Sequence, residues 1–486
     1  MAVYEFPASL GQQWMWLLAE MDPGEPTYNI TWALWLDGPL DVAALQRAWD
    51  AAMARHEALR TTFRNESGVP VQVIEEDSAA PPMPVNSVEH LAAGEREPAA
   101  LDQIRELAQI PFDLAAGPLA RAALVRLSPE AHVLAVVMHH IVADGWSFRI
   151  LFDELAADYE AISRGGAPAG GEPPIQYADF AIWQIEHAED SGYAADRRFW
   201  RAELADAPPA LPLPVDRPYP ARQTFAAAHI DAGLGGGMAE LRELAARHGT
   251  TLFAVLLAAY AVVLSRLTGS DDILVAVPMA GRTRPETESV VGLFINTVPI
   301  RIRIDREGTL GNLVRTVHAA TTRALAHQEL PFPRMVELAR PDRNPARLPL
   351  VQVMFAMEES WAVPDHGGLR WRPQLVEIGT ARFEIELTVT DTPAGPQLRV
   401  NYNTDLFHET TAQLVADGYL AILGCLAGDP DRAVADAEIM SPEQLALVTR
   451  VWPDGGPSLT RRRPRWLSCG RRVPAMRSSR SAPMPR

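Results

Sequence analysis

The run "AHVLAVVM", Ala131 to Met138, is apolar at nearly every position and rich in valine, which predicts a buried β-strand. Beyond it, after "HHIVADGWS", the apolar residues Ile150, Leu151, Leu155, Tyr159 and Ile162 recur at helical spacing. Asp144-Gly145 is the turn that leads into that helix. The same alternation of periods runs through the first part of the chain. "LDVAALQRAWDAAMARHEAL" reads as an amphipathic helix, and "VPVQVI" alternates as a strand does. "SRGGAPAGGEPP", Ser163 to Pro174, is a Gly/Pro-rich loop. A helix is expected over "YADFAIWQIEHAEDSGYAADRRFWRAEL", then a Pro-rich connector, "PPALPLPVDRPYPA". A second α/β region follows, with strands at "DILVAVPM", "NTVPIRIRI", "VQVMFAM", "EIELTVTDT" and "QLRVNYN" and helices around Leu252 and "TTAQLVADGYLAIL". Strands and helices mixed in both regions predict two α/β sandwiches side by side. The expected units are residues 1–175, 176–450 and a terminal segment, 451–486.

Composition narrows the class. A chain of 486 residues, 48% of them apolar, is long enough for two ordinary domains with substantial cores. The two cysteines, Cys425 and Cys469, form neither a disulfide framework nor a zinc site, and fit a reducing, cytoplasmic setting. The apolar run from Leu252 to Leu264 is shorter than the ~20 residues that span a bilayer, so it is expected to be a buried helix rather than a membrane segment. A formal charge of −17 argues against a nucleic-acid surface. Arginine is the only charged residue type from Gly455 to Arg486, a stretch without apolar periodicity and expected to be a disordered tail.

The candidate chemistry lies in "MHHIVADGWS". Side chains alternate faces along a strand, so His139 and His140 point in opposite directions. Two adjacent ligands on one metal are therefore not expected, and a division of labour is. A strand, a histidine, a tight turn and a helix together hold an imidazole beside a helix N-terminus, whose free N–H groups favour developing negative charge. Gly145, with no Cβ, lets backbone or ligand come close.

"MHHIVADGWS" resembles the HHxxxDG signature of the condensation domains of nonribosomal peptide synthetases, a branch of the chloramphenicol-acetyltransferase-like superfamily. The family's other motifs follow in its order. "SLGQQWMWLL" is similar to the first, with Gly11 and Trp14 where alanine and arginine are usual, and "RHEALRTTF" matches the second. "YADFAIW", "VGLFINTVPIR" and "HQELPFP" match the fourth, fifth and sixth. "RNPARLPLVQV" keeps Arg343, Arg347, Pro349 and Leu350 of the seventh but lacks its usual Asp, Ser and Asn. Gly145 separates the chain from epimerisation domains and the double histidine from heterocyclisation domains.

The resemblance implies a V-shaped pseudo-dimer of two chloramphenicol-acetyltransferase-like α/β sandwich lobes with His140 at their junction. It implies that a donor acyl or peptidyl group passes from a carrier-protein thioester to the amine of an acceptor aminoacyl group on a second carrier. His140 is the expected catalytic residue, as a base or as the group that holds the amine, and Gly145 lies beside the reacting atoms. His139, Asp144, Arg282, Arg55 and Arg60 are expected to support the site, Arg282 as the partner of Asp144. Trp146, Ser147, Tyr177 and Asn296 are candidate lining residues. No metal or intrinsic cofactor is implied, because phosphopantetheine arrives on the donor and acceptor carriers. An adenylation domain is the expected neighbour in a parent assembly. Two alternatives stay open: a free-standing acyltransferase using a soluble acceptor, and a degenerate domain that only recruits partners.

Overall fold

Strand Ala131–His139 runs through the middle of a sheet whose five strands lie in the order Arg370–Leu375, Asn29–Asp37, Ala131–His139, Ala120–Ser128 and Val85–Ser87. The computed structural model describes residues 2–440, apart from residues 22, 77–79, 190–191, 209, 236 and 341–343. The expected tail at 451–486, Cys469 and Arg343 of the seventh motif lie outside the described residues.

The apolar run that marks the strand follows from cover on both sheet faces. Leu134, Val136 and Met138 pack with Trp49 of helix Val42–Arg55 and with Leu151 and Leu155 of helix Gly145–Ser163. Val133 and Ala135 pack against Ala100 and Ile104 of helix Ala93–Ala108 on the other side. A strand buried on both sides loses the polar alternation of a half-exposed one. Asp41 caps Val42–Arg55, its carboxylate accepting the N–H groups of Ala43 and Ala44 at 2.9 and 3.0 Å.

A second sheet orders its strands Asn296–Arg303, Asp272–Met279, Val353–Glu359, Ile385–Asp391, Gln397–Asn403 and Ala227–Gly233. Its core face carries Phe355, Leu387, Val389, Leu398 and Val400 against helix Leu252–Thr268, which is buried along nearly its whole length. Helix Glu409–Gly428 is long and apolar enough to cross a membrane by composition, but it buries Val415, Tyr419 and Ile422 in this same core. Among the described residues, a third sheet of three short strands, Val3–Pro7, Val69–Glu75 and Thr61–Glu66, completes the β-structure.

The two halves share a strand. After Val353–Glu359 the chain leaves the second sheet, adds Arg370–Leu375 antiparallel to Asn29–Asp37, and returns at Ile385. Trp371, 2% exposed, fixes this excursion edge-on to Tyr159 at 5.7 Å. The return segment stays beside the histidine strand: the Val376 N–H donates to Thr31 O at 3.0 Å, and Ile378 packs on Val137.

The single helix expected from Tyr177 to Leu204 is two, Tyr177–Glu189 and Ala194–Glu203. The chain turns at Gly192, whose N–H donates to His187 O at 2.9 Å, and a Cβ at Gly192 would lie 2.2 Å from the His187 ring.

Candidate active site

His139 is the last residue of its strand and His140 the first beyond it. His139 stays in register opposite Asn29, with its ring set near those of Tyr28 and Phe112 at 6.5 and 6.2 Å. Its Nδ1 accepts the Ile141 N–H at 3.1 Å. Burial, followed by the neighbouring His140, pushes this imidazole down to about 3, so it is neutral and holds the turn.

His140 faces a different environment. Its main-chain N–H donates to Tyr28 O at 2.8 Å, and its Nδ1 lies 2.8 Å from Ala143 O. A carbonyl only accepts, so Nδ1 carries the proton and Nε2 keeps its lone pair. Nε2 has no hydrogen-bond partner among the described residues, and 4% of the residue remains exposed. Burial first, and then the positive charge of Arg382, lower this imidazole to about 4, against the opposing pull of Ala143 O and Asp144. A ring held neutral with its outer nitrogen free can accept a proton or a hydrogen bond.

Asp144 does not touch the His140 ring nitrogens. It caps helix Gly145–Ser163, with Oδ1 accepting the Ser147 N–H at 2.9 Å and Oδ2 accepting the Phe294 N–H at 3.1 Å. Arg282 Nη2 lies 3.0 Å from Oδ1, with the two side chains only 3% and 2% exposed. Nη1 of Arg282 also donates to Val290 O at 2.7 Å, and the guanidinium carbon sits 4.1 Å from the centre of the Phe294 ring. A residue of the first sheet's turn is thereby tied to two stretches of the second region. Gly145 begins the helix this pair orients, and a Cβ placed there would meet nothing within 4 Å. Gly145 is itself exposed at the start of the helix.

Arg55 and Arg60 act at a distance from His140. Arg55 reaches Glu154 and Asp158 at 2.5 and 2.8 Å, clamping helix Val42–Arg55 to helix Gly145–Ser163. Burial alone would raise Glu154, but His56 and Arg55 hold its carboxyl below the usual range. Arg60 donates to Glu75 O at 2.6 Å at the end of strand Val69–Glu75.

The candidate lining residues take other places. Ser147 is fully buried, its Oγ 2.8 Å from Asp144 Oδ1 and 3.0 Å from Gly292 O. Tyr177 donates its hydroxyl to Leu293 O at 2.7 Å and lies edge-on to Phe294 at 5.1 Å. Asn296 spends its amide on Gln328 O, Leu330 O and the Phe332 N–H, at 2.7, 2.8 and 3.0 Å. Trp146 is 41% exposed and donates to Glu288 O at 3.0 Å. Ser147 and Trp146 thus bond across the two halves, as Tyr177 does through Ser9 Oγ at 2.8 Å, whereas Asn296 takes its partners within the second region.

The seam is tight at Gly281, whose φ of +67° lies in the left-handed region and whose added Cβ would fall 1.9 Å from Phe294 O. Gly281→Ala is expected to cost about 1–3 kcal/mol in urea denaturation, because backbone and not a movable side chain stands in the way.

Arg382 and Glu358 were not identified in the sequence. Arg382 acts electrostatically on both His140 and Glu358. Its only sequence cue, a cation before the strand "EIELTVTDT", is too common to single out.

Comparison with known proteins agrees with this architecture. The family model described as "Condensation domain" matches residues 4–448. Chondramide synthase cmdD of Chondromyces crocatus is 36% identical over 460 residues, covering 92% of this chain and 12% of that protein. Phosphinothricin tripeptide synthetase PhsC of Streptomyces viridochromogenes is 35% identical over 454 residues, covering 92% of this chain and 41% of that protein. The chain therefore spans a minor part of these relatives. The X-domain from teicoplanin biosynthesis superposes with a TM-score of 0.79 at 28% identity, over 89% of this chain and 97% of that one. The first condensation domain of the calcium-dependent antibiotic synthetase, in complex with a substrate analogue, gives a TM-score of 0.77 at 22% identity, over 90% and 99%. The fold is the pair of chloramphenicol-acetyltransferase-like α/β sandwiches that the motifs imply. By the extent of the family match, the chain belongs to the condensation-domain family of nonribosomal peptide synthetases.

Proposed function

We propose that this chain forms peptide bonds, moving a donor acyl or peptidyl group from one carrier-bound phosphopantetheine thioester to the amine of an aminoacyl group on a second carrier. The observation that carries this reading is the His140 ring, with Nδ1 committed to Ala143 O and Nε2 unpaired among the described residues, in the turn that leads into helix Gly145–Ser163. A thioester is already activated, so holding amine and carbonyl together supplies much of the acceleration.

The amine nitrogen attacks the carbonyl carbon, the C–S bond breaks, and the proton lost by nitrogen leaves with the thiol sulfur. His140 Nε2 is the relay for that proton. A ring lowered to about 4 is too weak a base to deprotonate a free ammonium near ~8. It can accept a hydrogen bond from the neutral amine and take the far more acidic proton of the tetrahedral intermediate. Gly145 leaves room for the substrate, and the helix N-terminus favours the negative oxygen. Asp144 and Arg282 position that terminus, His139 the turn, and Arg55 and Arg60 the scaffold behind it. Two lobes divided near residues 175 and 176, a neighbouring adenylation domain and a reducing, cytoplasmic setting complete the reading; Cys425 is a free thiol.

The test is intact-mass spectrometry of both carriers after mixing charged donor, charged acceptor and this protein. Acyl transfer onto the acceptor carrier is expected. Transfer only to a soluble amine or alcohol would instead favour a free-standing acyltransferase. One observation favours a second, non-catalytic reading: a structure at 29% identity and TM-score 0.78 is the X-domain in complex with OxyB. Partner binding that survives His140→Ala, with no turnover on any donor, would support it.

A further inference from the structure

A cavity opens on the seam between the halves. Gly11 lines it from helix Leu10–Met21, Gly281 and Leu293 from the second half, and Phe180, Trp183 and Gln184 from helix Tyr177–Glu189. His140, Asp144 and Gly145 are not among its walls. Its empty volume is ≈ 550 Å³ counted out to the open mouth, of which ≈ 60 Å³ admits the centres of water molecules. That inner space holds several waters or one group of carboxamide size. A Cβ at Gly11, where alanine is usual in the family, would stand 3.5 Å from Leu293 Cδ2, so glycine leaves this wall thin.

Two buried polar groups in the walls are unspent. Tyr193 and Gln184 are only 1% and 9% exposed, and both line the cavity. The Tyr193 ring meets His187 edge-on at 4.9 Å, but its hydroxyl has no hydrogen-bond partner among the described residues. Gln184 Oε1 accepts the Leu10 N–H at 2.8 Å, while its Nε2 has no partner among the described residues. Burial first, then the Glu329 and Asp196 carboxylates, push the Tyr193 hydroxyl up to about 12, so it is a donor at neutral pH. Buried donors without partners are costly, and two on one cavity call for an acceptor between them.

The mouth carries one unmatched charge of each sign. Glu329 is exposed and lines the cavity; its Oε1 accepts from Thr283 Oγ1 at 2.7 Å, and its Oε2 has no partner among the described residues. Arg284 is exposed next to the lining residue Thr283, with its guanidinium carbon 4.0 Å from the centre of the Trp183 ring. That side chain makes no hydrogen bond or ion pair among the described residues. The neighbouring Asp196 is engaged by His327 Nδ1 at 2.6 Å.

We propose that this cavity is a site for a free α-amino acid with a carboxamide side chain, separate from the reaction site. The ammonium group pairs with Glu329 and the carboxylate with Arg284, while the side-chain carbonyl accepts from Tyr193 and Gln184. A simple amine would leave Arg284 and both donors unspent, and a bare anion would meet Glu329. Because the walls come from both halves, the bound molecule bridges the seam.

The test is equilibrium dialysis of the full chain against radiolabelled L-glutamine, without carriers. Saturable binding is expected, weakened by about tenfold in Tyr193→Phe and in Glu329→Gln. L-glutaminamide keeps the ammonium but lacks the carboxylate, as a carrier-bound aminoacyl group does, and is expected to compete about tenfold less well. Equal competition would assign the cavity to the carrier-bound group and overturn the proposal. No saturable binding, or binding unmoved by both substitutions, also overturns it. Should Tyr193→Phe not fold, Glu329→Gln at the exposed mouth decides: weaker binding supports the proposal and unchanged binding sinks it. His140→Ala is expected to bind as the parent does, so loss of acyl transfer and loss of this site are read separately; binding lost in His140→Ala would place the ligand in the reaction site and refute the proposal.

Discussion

His140→Ala is expected to lower the rate of acyl transfer between carriers by about 10²–10⁴-fold, the range of a positioned proton acceptor. The variant should still unfold cooperatively, because the ring makes one hydrogen bond, to Ala143 O, and the main-chain contact to Tyr28 O survives. The pH profile separates this reading from a bulk-base mechanism. An acceptor α-amine titrates near ~7.7–8.0 and must be neutral to attack. The ring itself is neutral well above its value of about 4. The acid limb of the parent rate should therefore follow the amine, and His140→Ala should lower the plateau without moving that limb. Stopped-flow or quenched mass spectrometry across pH 6–9 measures both quantities. A limb that disappears with the ring would mean that His140, not the amine, titrates there.

The parts of this site legible in the chain are those set by local physics. Ala131–His139 reads as a strand because helices cover both its faces, and the opposed facing of His139 and His140 follows from pleat geometry. The helix after Asp144 follows from apolar spacing and a capping residue. Other features depend on partners remote in sequence. "RWRPQL" is charged and contains Pro373, which argues against a central strand; it pairs because it is an edge strand, where proline is tolerated. Ser147, Tyr177 and Asn296 belong to family motifs, yet their partners, Gly292 O, Leu293 O and Leu330 O, stand far along the chain and are not legible from the motifs.

Breaking the Asp144–Arg282 pair is the second large effect expected, and on stability rather than on the chemical step directly. Both side chains are nearly sealed from water, so either charge left alone cannot recover its hydration. Asp144→Asn should retain the cap on the Ser147 N–H while removing the charge, at about 3–5 kcal/mol. Asp144→Ala should cost about 1 kcal/mol more, the usual value of a lost N-cap. Arg282→Met leaves the carboxylate unpaired and should be destabilising on the same scale. The double variant Asp144→Asn with Arg282→Met should cost clearly less than the two single costs added, since neither buried charge remains. Urea denaturation of all four proteins measures the coupling. Strict additivity would mean that the pair is solvated or dispensable. Because Oδ2 of Asp144 also holds the Phe294 N–H, the loss should reach the seam and shift the helix N-terminus at Gly145, so turnover should fall in Asp144→Asn although His140 is intact.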